Sequence, residues 1–179
     1  MNNISKPITW VAISGSWAIT SDEVEKDVRR CVRNILRKGG GVVTGGALNV
    51  DSFATDETIK FDSKCKHLKI FLPTTLKIYS VHYRKRAHEG VITSKQAEDL
   101  IAQLEFVKKA NPKAIIENKV NKIVDKTTYF ERNMEEVKAS DELYAFHVVQ
   151  SVGGGTIDTI EKAKELGLKV KRFDYEVTK

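Results

Sequence analysis

The stretch GGVVTGGALNVDSFA, residues 40–54, contains the pattern that decides the fold. A short β-branched run ends at the glycine pair Gly45-Gly46, and a helical pattern begins near Asn49-Val50-Asp51. This order is typical of a buried strand that passes through a tight turn into a helix. We therefore expect a strand over 41–44 and a helix beside the turn.

The same order recurs on both sides of this stretch. Residues 8–13 form an apolar run that ends at Ser14-Gly15-Ser16, and a helical pattern with capping-box spacing follows from Thr20 until the glycines at 39–41. Further predicted strands lie at 67–73, 143–149 and 168–173, and further predicted helices at about 130–139 and 156–166. Strands that alternate with helices indicate βαβ units. The predicted fold is α/β: a Rossmann-like, doubly wound, mainly parallel sheet of about five strands flanked by helices.

The alternation weakens between residues 74 and 128. This segment contains a predicted helix over 94–109, capped by Thr93 with Gln96. The segment is too short and too polar for an independent domain. We interpret it as a helical insertion that lies over the ligand pocket, so that residues 1–179 form one domain.

Composition narrows the class of protein. The chain has 179 residues, 41% of them hydrophobic, and it contains neither an eighteen-residue apolar run nor the pattern of a signal peptide. We expect a cytoplasmic protein with no membrane partner. The two cysteines form no CxxC motif and the four histidines have no metal-ligand spacing, so no metal and no cofactor are predicted. No Walker sequence occurs.

The positive charge of the chain is unevenly distributed. The formal net charge is +6, yet residues 60–126 alone hold about 15 lysines and arginines against about 7 acidic residues. This asymmetry favours a phosphate or polyanion partner near the segment, and a solvated lysine-rich surface is the alternative.

Three loops join the end of a predicted strand to the beginning of a helix. They are Ser14-Gly15-Ser16, Thr44-Gly45-Gly46-Ala47 and Ser151-Val152-Gly153-Gly154-Gly155-Thr156. In a parallel sheet such loops lie at the carboxyl edge, where ligands of these folds bind. Glycine allows close backbone approach, and the first turn of a helix offers free N–H donors, so the loops are predicted to bind phosphate. Tight turns without a ligand are the alternative.

Four polar side chains complete the predicted site. Arg132 can bind a phosphate through two parallel hydrogen bonds, with Asn133 beside it. Asp51 and Asp158 each lie in the first turn of a helix next to a glycine loop. Each aspartate either caps its helix or contacts a ribose hydroxyl or a water molecule.

Three motifs in this order resemble the Smf/LOG (SLOG) superfamily of Rossmann-like domains. They are residues 40–54, Phe130-Glu131-Arg132-Asn133 with Ser140-Asp141, and Gly155-Thr156-Ile157-Asp158-Thr159-Ile160 with Ala163 and Gly167. The resemblance covers residues 8–60 and 129–173. It implies a nucleotide or another phosphorylated small molecule as ligand, and a homodimer is consistent with such a domain.

Two branches of the superfamily imply different functions. The chain resembles DNA processing protein A, which binds single-stranded DNA through such loops, but Leu48 stands where that family usually has an arginine. It also resembles the LOG phosphoribohydrolases, which cleave the N-glycosidic bond of a nucleoside monophosphate. Gly153, Gly155 and Thr156 match part of the LOG motif, whereas Thr159 occupies the place of its catalytic glutamate.

The leading hypothesis is a nucleotide-binding protein in which Gly153 to Thr156 and Arg132 hold the phosphate. The Gly45-Gly46 and Ser14-Gly15-Ser16 loops line the sugar or the base. The alternatives are a hydrolase that uses Asp158 or Glu131 as its acidic group, and a single-stranded DNA-binding module.

Overall fold

Six parallel strands form the centre of the molecule. The structure is a computed structural model that describes residues 7–151 and 153–177; Val152, within the third predicted loop, lies outside the described residues. The strands are β1 (Trp10–Gly15), β2 (Gly41–Thr44), β3 (Leu68–Leu72), β4 (Ile115–Glu117), β5 (Glu142–Val148) and β6 (Lys169–Tyr175). Their order in the sheet is β4-β3-β2-β1-β5-β6. The predicted α/β class and parallel sheet are therefore confirmed.

Helices cover both faces of this sheet. They are α1 (Asp22–Arg37), α2 (Val50–Phe61), α3 (Leu76–His88), α4 (Ser94–Ala110), α5 (Lys126–Lys138) and α6 (Gly155–Glu165). Because successive side chains of a strand point to opposite faces, Val11 and Ile13 belong to the larger hydrophobic cluster, with residues of α1 to α4, and Ala12 to the smaller one, with residues of α5 and α6. Over the described ranges, none of the helices is both long enough and apolar enough to span a bilayer.

The strand order has one topological switch point, at which the chain begins to add strands on the opposite side of β1. From β1 the chain adds strands outward to β4, then returns to place β5 on the other side of β1. The carboxyl ends of β1 and β5 are therefore neighbours whose following segments diverge. A crevice forms at such a topological switch point in open α/β sheets.

The segment 74–128 contributes to the sheet itself, and the prediction of about five strands was one too few. Residues 115–117 form β4, which pairs with β3 through Ile70 and Ile115. Three residues are too few for a periodic pattern to show. The predicted helix within this segment is confirmed as α4, with a capping box between Thr93 and Gln96.

The helix α5 begins earlier than predicted. Its first residue is Lys126 rather than about residue 130, because Asp125 and Thr128 form a capping box at its head. The predicted bounds of about 130–139 placed Arg132 at the start of this helix, whereas it lies in the middle. Because β4 was not predicted, the strand that follows is the fifth and not the fourth.

Truncation of Leu104 in α4 tests whether the segment 74–128 is part of the common core. The Leu104 side chain is 1% exposed within the larger cluster, so Leu104→Ala should lower the free energy of unfolding by about 2–5 kcal/mol. Phe106→Ala on the same helix is the control, because Phe106 is 46% exposed. Urea denaturation should show one transition for each variant. A separate early transition for Leu104→Ala would mean that the segment unfolds independently of the sheet.

Candidate functional site

A cavity of about 310 Å³ lies where the loops after β1 and β5 face α3 and α5. Its walls include nine of the residues predicted for the site: Ser14, Gly15, Ser16, Asp51, Arg132, Asn133, Gly153, Gly155 and Thr156. Pockets for small ligands usually measure about 300–1,000 Å³, so this one is suited to a small ligand. The topology brings these residues together although they come from four distant parts of the sequence.

Six other predicted residues do not line this cavity: Thr44, Gly45, Gly46, Gly154, Asp158 and Glu131. The Asp158 carboxylate accepts hydrogen bonds from Lys162 Nζ at 2.6 Å and from Asn133 Nδ2 at 2.9 Å. The Glu131 carboxylate accepts from Asn121 Nδ2 at 2.9 Å and lines a separate depression near β3 and β4. Both acidic groups are thus held by hydrogen bonds behind or outside the cavity lining, Asp158 through the lining residue Asn133.

The Gly45-Gly46 turn does not line the cavity but packs against the Arg132 side chain, which does. An added Cβ at Gly45 would lie 1.2 Å from Nη1 of Arg132, so the guanidinium lies directly against this glycine. Gly46 has a positive φ of 66°, and an added Cβ there would lie 2.8 Å from side-chain atoms of Ile70 and Leu72. The Thr44 hydroxyl accepts a hydrogen bond from the Gly46 amide. Each glycine therefore leaves space for a different buried neighbour.

Asp51 connects this turn to Arg132. The side chain is buried, and its Oδ2 accepts hydrogen bonds from the amides of Gly45 and Ala47 at 3.1 Å each. Nη1 of Arg132 lies 3.6 Å from the same oxygen. Burial raises the pKa of Asp51, while Arg132 and the two amides oppose this rise. Asp51 therefore serves as a structural anchor of the turn and as the counter-charge of Arg132.

The Arg132 side chain is 9% exposed and is not fully satisfied by the protein. Within the described part of the chain, its Nε and Nη1 have no hydrogen-bond partner. The guanidinium carbon lies 5.5 Å from the centre of the Tyr129 ring. A buried cation with unused donors is unfavourable unless an anion completes its hydrogen bonds. The Arg132 guanidinium is thus a largely buried positive charge in the wall of the cavity, with Asp51 as its counter-charge.

Tyr129 belongs to a group of three tyrosines, because its ring lies 6.5 Å from that of Tyr79, which in turn lies 4.9 Å from that of Tyr83. The Tyr79 hydroxyl donates to the Gly46 carbonyl at 3.2 Å and lies 3.3 Å from the Tyr83 hydroxyl. Burial is the largest effect on all three, and it raises the pKa of Tyr79, Tyr83 and Tyr129. These hydroxyls therefore remain neutral hydrogen-bonding groups at physiological pH.

The head of α6 forms the opposite part of the wall. Gly154 caps this helix in the left-handed region, with a φ of 70°, which favours glycine. The first amides of a helix have no partner within it, so those of Gly155 and Thr156 are available to an anion. Asn133 Nδ2 donates to the Gly155 carbonyl at 3.4 Å and fixes the head of α6 beside α5.

The loop after β1 is tied to both neighbouring loops. The Ser16 hydroxyl lies 3.1 Å from the Ser151 hydroxyl, and the Ser14 hydroxyl donates to Thr159 Oγ1 at 3.4 Å. The Trp17 carbonyl accepts from Asn49 Nδ2 at 2.6 Å. Thr159 is completely buried, and its own hydroxyl donates to the Gly155 carbonyl. This network fixes the loops around the cavity.

Basic and aromatic side chains from α3 and α5 complete the lining. The Arg86 guanidinium carbon lies 4.7 Å from the centre of the Trp17 ring, and Lys126 Nζ lies 5.3 Å from the centre of the Phe130 ring. The consecutive basic residues Arg84, Lys85 and Arg86 of α3 do not all face the cavity. Arg86 lines the cavity, whereas Arg84 pairs with Glu98 on the surface at 2.8 Å.

The site predicted from the sequence did not include the cavity residues of α3 or most of those of α5. These residues are His82, Tyr83 and Arg86 in α3, with Lys126, Tyr129, Phe130 and Glu136 in α5. A signal did exist, because residues 129, 132, 133 and 136 have the spacing of one helix face. Among residues 7–151 and 153–177, no group of three or more histidines, cysteines or acidic residues is placed to hold a metal ion.

Solved structures of other proteins have an architecture similar to that of this chain. The chain superimposes on DNA processing protein A from Helicobacter pylori with a TM-score of 0.66 at 15% identity, over 93% of this chain and 65% of that one. That structure was used to describe how the Helicobacter pylori protein binds single-stranded DNA. DNA processing protein A from Streptococcus pneumoniae gives a TM-score of 0.60 at 15% identity, over 92% of this chain and 50% of that one.

A third similar structure is the structural genomics target TM1055. Its TM-score is 0.53 at 14% identity, over 91% of this chain and 72% of that one. The chain thus spans less than two thirds of the length of either DNA processing protein A structure. At these identities the similarity establishes the fold alone, and this is the fold that the resemblance of the sequence motifs implies. No protein-family model and no curated protein sequence matches the chain.

Proposed function

We propose that this protein binds a nucleotide, or another phosphorylated small molecule of similar size, in the cavity between the loops after β1 and β5. The observation that carries the proposal is the Arg132 guanidinium, a 9% exposed cation in the cavity wall. Its ion pair with Asp51 is 3.6 Å long, and its Nε and Nη1 make no hydrogen bond within the described part of the chain. A phosphate offers the oxygen acceptors and the negative charge that this group lacks.

The phosphate would lie between Arg132 and the head of α6. The amides of Gly155 and Thr156 provide neutral donors there, and the helix dipole adds partial positive charge. Arg86 and Lys126 add two further cations to the lining. The same lining also contains the acidic residues Asp51, Asp125 and Glu136, so the proposed attraction depends on Arg132 and the helix-head amides rather than on an excess of basic side chains.

The rest of the ligand would contact the aromatic part of the lining. Trp17 and Phe130 are half-buried and offer flat apolar surface, to which nucleobases bind by stacking. A cavity of about 310 Å³ lies at the lower end of the range for small-ligand sites, which favours a mononucleotide over a dinucleotide.

Isothermal titration with adenosine 5′-monophosphate, its diphosphate, adenosine and inorganic phosphate tests the proposal. The monophosphate should bind at least about tenfold more tightly than adenosine, because charge-assisted hydrogen bonds contribute about 1.5–3 kcal/mol. Arg84→Ala is the matched control, since Arg84 pairs with Glu98 at the surface and should not affect binding. Absence of heat across a panel of nucleotides, with unchanged thermal stability, would contradict the proposal.

Binding of single-stranded DNA is the second candidate, and its support is the fold shared with DNA processing protein A. The cations Arg86 and Lys126 line the same cavity as Arg132. Arg86→Ala should then weaken binding of an oligonucleotide and flatten its salt dependence, whereas the paired change of Arg84 and Lys85 to alanine should not. Equal effects of both changes would indicate nonspecific surface attraction.

The geometry favours binding over N-glycosidic hydrolysis by Asp158 or Glu131. A general acid or base must reach the reacting atom, and neither carboxylate lines the cavity: Asp158 is bound by Asn133 and Lys162, and Glu131 by Asn121. The test is whether the protein releases free base from a nucleoside monophosphate. Release that is lost in Asp158→Asn or Glu131→Gln would favour hydrolysis over binding alone.

A further inference from the structure

Glu136 is a second buried and unsatisfied group in the cavity wall. It lies one helical turn after Arg132 on α5, so the two side chains share one helix face. The residue is 2% exposed, lines the cavity, and its Oε1 has no hydrogen-bond partner within the described part of the chain. Glu136 belongs neither to the sequence motifs nor to the proposed phosphate contacts of Arg132, Gly155 and Thr156.

The environment of Glu136 favours its neutral form. An ionised carboxylate without hydrogen bonds is strongly unfavourable inside a protein, and an uncharged carboxyl group avoids most of this cost. Burial is the largest effect and, with the nearby Asp51 charge, raises the pKa of Glu136 well above its ordinary value, although Arg132 opposes the rise. A protonated carboxyl group is a hydrogen-bond donor, which a carboxylate cannot be.

We propose that Glu136 contacts the ligand directly and donates its carboxyl proton in a hydrogen bond to an oxygen of the anion that Arg132 binds. This inference rests on the proposed function and makes it more specific. Arg132 and Glu136 then both present donors to one group, so the site selects a ligand with several acceptor oxygens close together, such as a phosphate monoester. A ligand that presents a hydroxyl or amine donor there would be favoured less.

Other charged groups near α5 bear on any dependence of binding on pH. The elements that pack against α5 or line the same cavity carry Asp51, Lys69, His82, Arg86, Asp125, Lys126, Asp158, Glu161, Lys162, Lys164 and Glu165. Burial lowers the pKa of His82, so its charge is lost on the acidic side of its usual range. A change in affinity at higher pH is therefore not due to titration of His82. Substitution of Glu136 alone then tests whether Glu136 causes that change.

The direction of the pH effect follows from the charge of the ligand. Above the pKa of Glu136 its carboxyl becomes an anion, loses its donor and repels the phosphate. Affinity should therefore fall as pH rises through that pKa. The second pKa of a phosphate monoester is about 6. From pH 7.5 upward the charge of the ligand is therefore nearly constant, and a change in affinity reports on groups of the protein.

The test compares adenosine 5′-monophosphate binding at pH 7.5 to the wild-type protein, Glu136→Gln and Glu136→Met. Glutamine keeps a neutral donor and should stay within about threefold of wild-type affinity, whereas methionine fills the space without a donor and should lose about tenfold or more. Glu135→Met on the exposed side of the same helix should have no effect. A folded Glu136→Met variant with wild-type affinity would overturn the inference.

The pH profile gives a second readout that a merely structural role would not produce. Wild-type affinity should fall with rising pH above the pKa of Glu136, and the affinity of Glu136→Gln should not. The same decline in both proteins would overturn the inference. Failure of the wild-type protein to bind the nucleotide at any pH would instead contradict the proposed function itself, so the two failures are distinguishable.

Discussion

Arg132→Met should abolish phosphate recognition while leaving the protein folded. Methionine keeps much of the apolar length of arginine but removes the charge and all five donors of the guanidinium. Loss of a charge-assisted pair of hydrogen bonds should weaken binding of a nucleoside monophosphate by about 100-fold or more, which corresponds to about 3 kcal/mol. Isothermal titration of both proteins measures the difference.

Stability should fall in the same variant because Asp51 loses its counter-charge. Removal of one partner from a buried ion pair costs about 3–5 kcal/mol, and here the two amides that bind Asp51 moderate the loss. The folded-state pKa of Asp51 should rise further, so the loss should grow as pH rises from its ordinary value through the raised one. Arg132→Lys keeps the charge and should be intermediate. Wild-type affinity in folded Arg132→Met would refute the role of this residue.

Gly45→Ala should remove binding with a smaller effect on stability. The new Cβ would lie 1.2 Å from Nη1 and 2.1 Å from Cζ of Arg132, so the guanidinium must leave its position. The end of an arginine side chain can move at modest cost, and the overpacking should lower the free energy of unfolding by about 1–3 kcal/mol. Affinity for the nucleotide should fall nearly as far as in Arg132→Met, as titration calorimetry would show.

Gly46→Ala is the matched control for this prediction. Gly46 has a positive φ, and its new Cβ would press on Ile70 and Leu72 rather than on Arg132. Strain and overpacking should therefore reduce stability at least as much as Gly45→Ala does, while the folded fraction retains its affinity. If the two variants lose affinity equally, the close contact between Gly45 and Arg132 does not control the site.

Much of the fold and part of the site could be predicted from the sequence because both depend on local patterns. A strand that ends in glycines before a helix is visible within about fifteen residues, and parallel pairing then brings all such loops to one edge. Ser14, Gly15 and Thr156 were predicted in this way, and they line one cavity. Their role as ligand contacts remains a prediction.

The remaining features depend on contacts between residues far apart in the sequence. Gly45 and Arg132 are in different βα units, so the need for a glycine to leave space for a guanidinium cannot be recognised locally. Glu136 is polar and is expected to be exposed on a helix, yet the fold buries it. The strand β4 is too short for its period to be detected. Each of these features arises from tertiary packing.

The central claim is that the head of α6 and Arg132 bind the phosphate group, and amide NMR tests it most directly. Titration of the protein with a nucleoside 5′-monophosphate should shift the amide resonances of Gly155 and Thr156 to saturation. Gly39 and Gly90, whose turns do not line the cavity, should stay unchanged. Saturable shifts confined to other regions, or unchanged Gly155 and Thr156 amides in the presence of bound nucleotide, would contradict the account.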